Sequence, residues 1–110
     1  MTIDISGTSL QGWLRATRSE IEARLGAPEF DSPEAIDEDG SPADCTTEWR
    51  MISGDTVIAI YDVAEIDDES GYVRGPSRDE IYDWSIGGVD GKAVDVVSVL
   101  MGAERVRARL

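Results

Sequence analysis

Alternation of apolar and polar positions is clearest over Glu80-Ile81-Tyr82-Asp83-Trp84-Ser85-Ile86. That period of two predicts a strand at 80–86. The strand runs into Gly87-Gly88-Val89-Asp90-Gly91, read as a glycine turn. Beyond it Ala93, Val96, Val97, Leu100 and Met101 recur at spacings of three and four. This spacing predicts a helix over 91–102, capped by Gly102, whose Val96, Val97 and Leu100 cover the strand face that carries Tyr82, Trp84 and Ile86. On this reading Trp84 is core, whereas Gly88 tolerates a side chain without cost to the core.

Upstream, Ile3 and Ile5 alternate weakly and suggest an edge strand within 1–8, and Leu10–Ala16 fits either a strand or the start of a helix. Thr17-Arg18-Ser19-Glu20 has the form of a capping box, with Thr17 as N-cap and Glu20 three positions on. Ile21 and Leu25 lie one turn apart, and Gly26 and Pro28 end the pattern, so a helix is expected at 18–25. Residues 46–52 and 56–62 are two strands joined by Ser53-Gly54-Asp55, a hairpin whose second strand is apolar on both faces and therefore central. Segments 27–45 and 63–79 read as loops, the first of them acidic and without a base. The basic, alternating tail 104–110 fits an edge strand, a helix extension or a subunit contact. Together these elements predict one α+β domain over 1–110: an antiparallel sheet of three to five strands with two helices packed on one face.

Charge changes the picture of partners. The chain carries 23 acidic and 10 basic residues, a net charge of −13, and Lys92 is its only lysine. Phosphate backbones and anionic membranes repel such a surface, so neither nucleic acid nor a membrane is an expected partner. The acid excess fits a salt-adapted host, a high-GC genome that favours arginine codons, or a surface that binds a basic partner. No apolar run approaches the length of a membrane span, and Met1-Thr2-Ile3-Asp4 lacks the features of a signal peptide. With Cys45 as the single cysteine, a cytoplasmic setting is expected.

The residue inventory disfavours catalysis. There is no histidine, hence neither the commonest general base nor the commonest zinc ligand. Cys45 lies beside acidic residues that raise its pKa. Asp62 and Asp83 are a candidate acid–base pair if their strands lie side by side; otherwise each faces water or an arginine. Asp37-Glu38-Asp39-Gly40 suggests a calcium loop, but Ala35 stands where that register needs an acid. No metal, no cofactor and no enzymatic activity are expected.

Several segments together resemble a family of small, largely uncharacterised phage-encoded proteins: Thr8-Ser9-Leu10-Gln11-Gly12-Trp13, Leu25-Gly26-Ala27-Pro28, Thr47-Glu48-Trp49, Ile58-Ala59-Ile60-Tyr61-Asp62, and Tyr82-Asp83-Trp84-Ser85-Ile86-Gly87-Gly88 followed by Ala93-Val94. The family usually has an imidazole at the position of Ser85, and often a tryptophan at that of Val63. The resemblance implies a viral or prophage source and the cytoplasm of a host cell. The helix ending in Leu-Gly-x-Pro ahead of a meander is also similar to small outer-membrane lipoprotein and β-lactamase-inhibitor folds.

The glycine turn is the candidate site. A helix N-terminus presents unpaired N–H groups, and glycines let an anion approach them. Ligand contacts are expected from Trp84, Gly87, Gly88, Gly91 and Lys92, with Arg105 and Arg107 supplied by a neighbouring subunit of a homo-oligomer. The function expected is a non-enzymatic counter-defence protein that holds a small anionic, nucleotide-like ligand. The alternatives are an acidic inhibitor or nucleic-acid mimic acting on a host protein, and a minor virion protein.

Overall fold

The computed structural model describes residues 7–32, 34–36, 39–40, 45–63, 65–66 and 73–109. In chain order it has β1 (Ser9–Ala16), α1 (Arg18–Leu25), β2 (Phe30–Asp31), β3 (Thr47–Ser53), β4 (Thr56–Tyr61), β5 (Glu65–Ile66), β6 (Val73–Arg74), β7 (Tyr82–Gly88), α2 (Lys92–Met101), a 3-10 turn (Ala103–Arg105) and β8 (Val106–Ala108). Six strands form one antiparallel sheet in the order β2-β3-β4-β7-β1-β8, and β5 and β6 form a separate two-stranded ladder.

The α+β class and the expected hairpin are present, but the main sheet has six strands rather than three to five. One was hidden by its brevity: β2, two residues long, lies in the acidic segment, whereas β8, three residues long, is the edge strand among the readings of the basic tail. Leu10–Ala16 is strand, not helix. The ladder β5–β6 falls within the segment read as loop at 63–79. The proposed edge strand over 1–8 lies mostly outside the described residues, as do Asp37 and Glu38 of the calcium-loop reading.

Alternation decides which side of the sheet is covered. Leu14, Ala16, Ile58, Ile60, Trp84 and Ile86 share one face with Trp49 and form the buried core with Ile21 of α1 and Ala93, Val94, Val97 and Met101 of α2. Both helices thus lie on one face, as the pattern predicts. The buried stripe of α2 is turned from the expected one, since Val96 and Leu100 are only partly buried.

The capping box forms in both directions: Glu20 N–H donates to Thr17 Oγ1 at 3.1 Å, and Thr17 N–H donates to Glu20 Oε1 at 3.0 Å. Ion pairs then tie α1 to its surroundings. Arg18 meets Asp31 of β2 at 2.7 Å and Glu22 at 2.8 Å. Glu22 also pairs with Arg78, and Glu20 with Arg105. Arg78 and then Arg18 hold the Glu22 carboxyl below the usual carboxylate range, and the Thr17 N–H followed by Arg105 does the same for Glu20. A carboxyl that binds its proton less tightly in the folded state stabilises the fold above its ordinary range, and that share is lost as pH falls through the folded value. Glu22→Gln should therefore unfold at a lower urea midpoint than the parent at pH 7. The gap should narrow as pH falls below the ordinary glutamate range and through the lower folded value. A gap of constant size across that range would contradict the ion-pair account.

Candidate functional site

The expected glycine turn starts later than the sequence suggests. Gly87 and Gly88 are strand residues, flanked on one side by Leu10 and Ser9 of β1 and on the other by Ala59 and Ile58 of β4. Their small size serves packing. A Cβ at Gly88 would lie 2.5 Å from the Ala93 Cβ, so the start of α2 rests directly on this strand. The expectation that Gly88 tolerates a side chain is thereby corrected. Gly88→Ala should cost about 1–3 kcal/mol, as overpacked core positions do, read as a shift in the urea midpoint. A loss under about 0.5 kcal/mol would show that α2 moves aside freely.

The turn proper is Val89-Asp90-Gly91. Gly91 is the N-cap of α2, with helical φ and ψ and no side-chain cap. The N–H of Lys92 is taken by the Asp90 carboxylate at 2.9 Å. The helix start therefore already holds an anionic group of the chain's own. Trp84 is fully buried. Its indole N–H donates to the Ala16 carbonyl at 3.0 Å, and its ring meets Trp49 and Tyr82 edge to face at 5.3 and 5.2 Å. It has no surface to offer a ligand in this fold. Arg105 and Arg107 stand apart from this group, at the β8 edge.

The two aspartates proposed as a pair diverge. Asp83 lies on the helix-free face, 3.8 Å from Arg15, with both side chains exposed. Asp62 is fully buried. Its Oδ1 accepts from Thr46 N–H at 2.8 Å and Thr47 N–H at 2.9 Å, and its Oδ2 accepts from the Thr46 hydroxyl. Gly75 closes the other side, because a Cβ there would lie 2.3 Å from Thr46 Oγ1 and 2.9 Å from Asp62 Oδ2. This arrangement is a clamp on the entry to β3. Next to it the buried Cys45 thiol is pushed up to about 12, first by burial and then by Glu48 and Asp62. It stays protonated at neutral pH and is a poor nucleophile. Among the described residues no cluster of three or more metal-ligating side chains occurs.

The chemistry that does converge lies on the face away from the helices. Register places Glu48, Tyr61, Ser85, Trp13 and Arg107 in one row across β3, β4, β7, β1 and β8. Ser85 is buried beneath its larger neighbours. At the β8 end of the row, the Arg107 guanidinium sits 4.8 Å from the centre of the Trp13 ring, a cation–π contact. A cavity of about 150 Å³ opens there, lined by Trp13, Arg15, Asp83, Glu104, Arg105, Val106 and Arg107. Among the described residues Arg107 and Arg109 have no carboxylate partner. Arg105 and Arg107 are among the expected ligand contacts; Trp13, which the sequence leaves as either core or a surface that stacks on a ligand, and Arg15 join them here. Their signal was present: once Leu14 and Ala16 are inward, alternation turns Trp13 and Arg15 outward. A second hollow, about 370 Å³, lies between α1 and β3, lined by Leu25, Ala27, Glu29, Trp49, Arg50 and Met51. No helix among the described residues is long and apolar enough to cross a membrane.

No protein-family model matches this chain, and neither the curated proteins nor the solved structures give a significant match.

Proposed function

We propose that this chain is a non-catalytic accessory binding protein, of the phage-encoded kind its motifs resemble, that holds a small anionic ligand at the Trp13–Arg107 end of the open sheet face. The observation that carries this reading is Arg107: in a chain where acids outnumber bases 23 to 10, its guanidinium lies on an indole and meets no carboxylate among the described residues. A guanidinium held in this way can accept an anion from solution without first giving up an ion pair. Arg15 is a second donor, paired only loosely. Its contact with Asp83 is long and exposed, and such pairs contribute about 0–1 kcal/mol.

Size narrows the ligand. Sites that enclose a drug-sized molecule measure roughly 300–1,000 Å³, whereas this cavity has about 150 Å³. It has room for a phosphate or sulfonate group, with any ring left against the Trp13 edge and the sheet face. This moves the expected anion site from the start of α2, where Asp90 already fills the position, to the β8 edge.

Isothermal titration with inorganic phosphate and a panel of nucleoside mono- and diphosphates, at low salt, tests the reading. Binding by the parent protein is expected to weaken at least tenfold in Arg107→Ser and to weaken with added salt. No heat from any anion at millimolar concentration, or equal binding by Arg107→Ser, would overturn it.

A further inference from the structure

Arg109 and the backbone of β8 do something the small-anion reading does not use. The Arg109 N–H donates to the Gln11 carbonyl at 2.8 Å. Bonding in an antiparallel pair alternates along the strand, so Arg107 also turns its backbone groups toward β1. Val106 and Ala108 turn theirs away, to the outer edge of the sheet, where β8 is the last strand. The Val106 N–H folds back onto the Ala103 carbonyl. Among the described residues, the Val106 carbonyl and both backbone groups of Ala108 remain at the edge. Side chains there alternate: Val106 toward the helix side, Arg107 on the open face, with Arg105 and Arg109 at either end.

We infer that β8 accepts an extended acidic segment of another protein as a seventh strand. Strand addition at an open edge takes its affinity from main-chain hydrogen bonds and its selectivity from alternate side chains. The selecting groups here are Arg107 and Arg109, neither of which meets a carboxylate among the described residues. Long-range repulsion from the net charge of −13 is screened beyond about 8 Å at physiological salt, whereas arginine and an incoming carboxylate meet at contact distance. Opposite charges directly across a strand pair add to the pairing and like charges oppose it. That disfavours a second β8 on this edge, since it would set arginines against arginines. The inference does not rest on the small-anion reading, which needs no backbone group of β8.

A blocked octapeptide of alternating Glu and Val is the probe, with alternating Lys and Val as its control. The Glu peptide is expected to bind the full-length protein, to slow hydrogen exchange at the Ala108 amide at least tenfold, and to lose at least tenfold in affinity against Ala108→Pro. Proline at an edge position whose N–H points outward leaves the existing sheet intact, so phosphate titration by that variant should be unchanged. Four results would each overturn the inference: no binding of the Glu peptide at millimolar concentration, equal binding of the Lys peptide, binding with no added protection at Ala108, or protection of Ala108 by self-association without peptide. Should Ala108→Pro fail to fold, the exchange measurement on the parent protein decides alone.

Discussion

Trp84→Ala is expected to remove about 3–5 kcal/mol of stability, the range for truncating a large aromatic in a core. Three separate losses combine at this position. The ring is fully buried, so its apolar surface has no other shelter. It makes edge-to-face contacts with both Trp49 and Tyr82, and such pairs contribute about 0.5–1.5 kcal/mol beyond their burial. Its N–H also satisfies the carbonyl of Ala16, where β1 hands over to α1. Small domains have only about 5–15 kcal/mol in total, so the expected loss is a large share of the whole. Trp84→Phe retains most of the volume and should recover more than half of the loss. Equilibrium urea unfolding followed by circular dichroism makes the comparison. A loss of less than 1 kcal/mol for the alanine variant would mean that the indole does not sit at the centre of the packing.

The second large effect is expected at Asp62. Asp62→Ala leaves the N–H groups of Thr46 and Thr47 buried without an acceptor, and each orphaned donor costs about 1–3 kcal/mol. The expected total is therefore about 2–6 kcal/mol. Asp62→Asn keeps an oxygen in the Oδ1 position, and the Thr46 hydroxyl can rotate to accept from the new amide. It should cost at least about 1 kcal/mol less than the alanine variant. The same urea series reads both. Equal losses for Asn and Ala would show that the negative charge, rather than the acceptor geometry, holds the clamp.

Legibility in the sequence followed the length and period of each segment. The capping box at Thr17–Glu20, the 46–62 hairpin and the alternation up to Ile86 are local signals, and each produced the element it predicts. β2 has two residues, too few for a period to register, and β8, with three, is only one of the three readings that the tail allows. They exist because β3 and β1 offer them an edge. The glycines at 87 and 88 were read through their backbone freedom, whereas at Gly88 the determining fact is a neighbour: α2 needs the space a Cβ would take. Asp62 was read as a strand-end residue facing water or an arginine. Nothing local announces that the N–H groups of Thr46 and Thr47, which precede it by a whole hairpin, will converge on it. The open-face row is in the same class. Trp13, Ser85 and Arg107 come from three distant segments, and only the strand order sets them side by side.

That strand order also bears on how the protein is made. β1 precedes the other described strands in the chain, yet its partners are β7 and β8, with Ser9 opposite Gly88 and Gly12 opposite Ala108. Until β7 and then β8 are made, β1 exposes Leu14 and the flank of Trp13 without the strands it pairs with. Topologies dominated by such distant pairings fold in roughly milliseconds to seconds rather than microseconds, and their waiting strands are open to aggregation in the meantime. Deleting β8 by truncation from Ala103 onward is therefore expected to raise the insoluble fraction of the expressed chain, read by sedimentation of the lysate; an unchanged fraction would contradict this account.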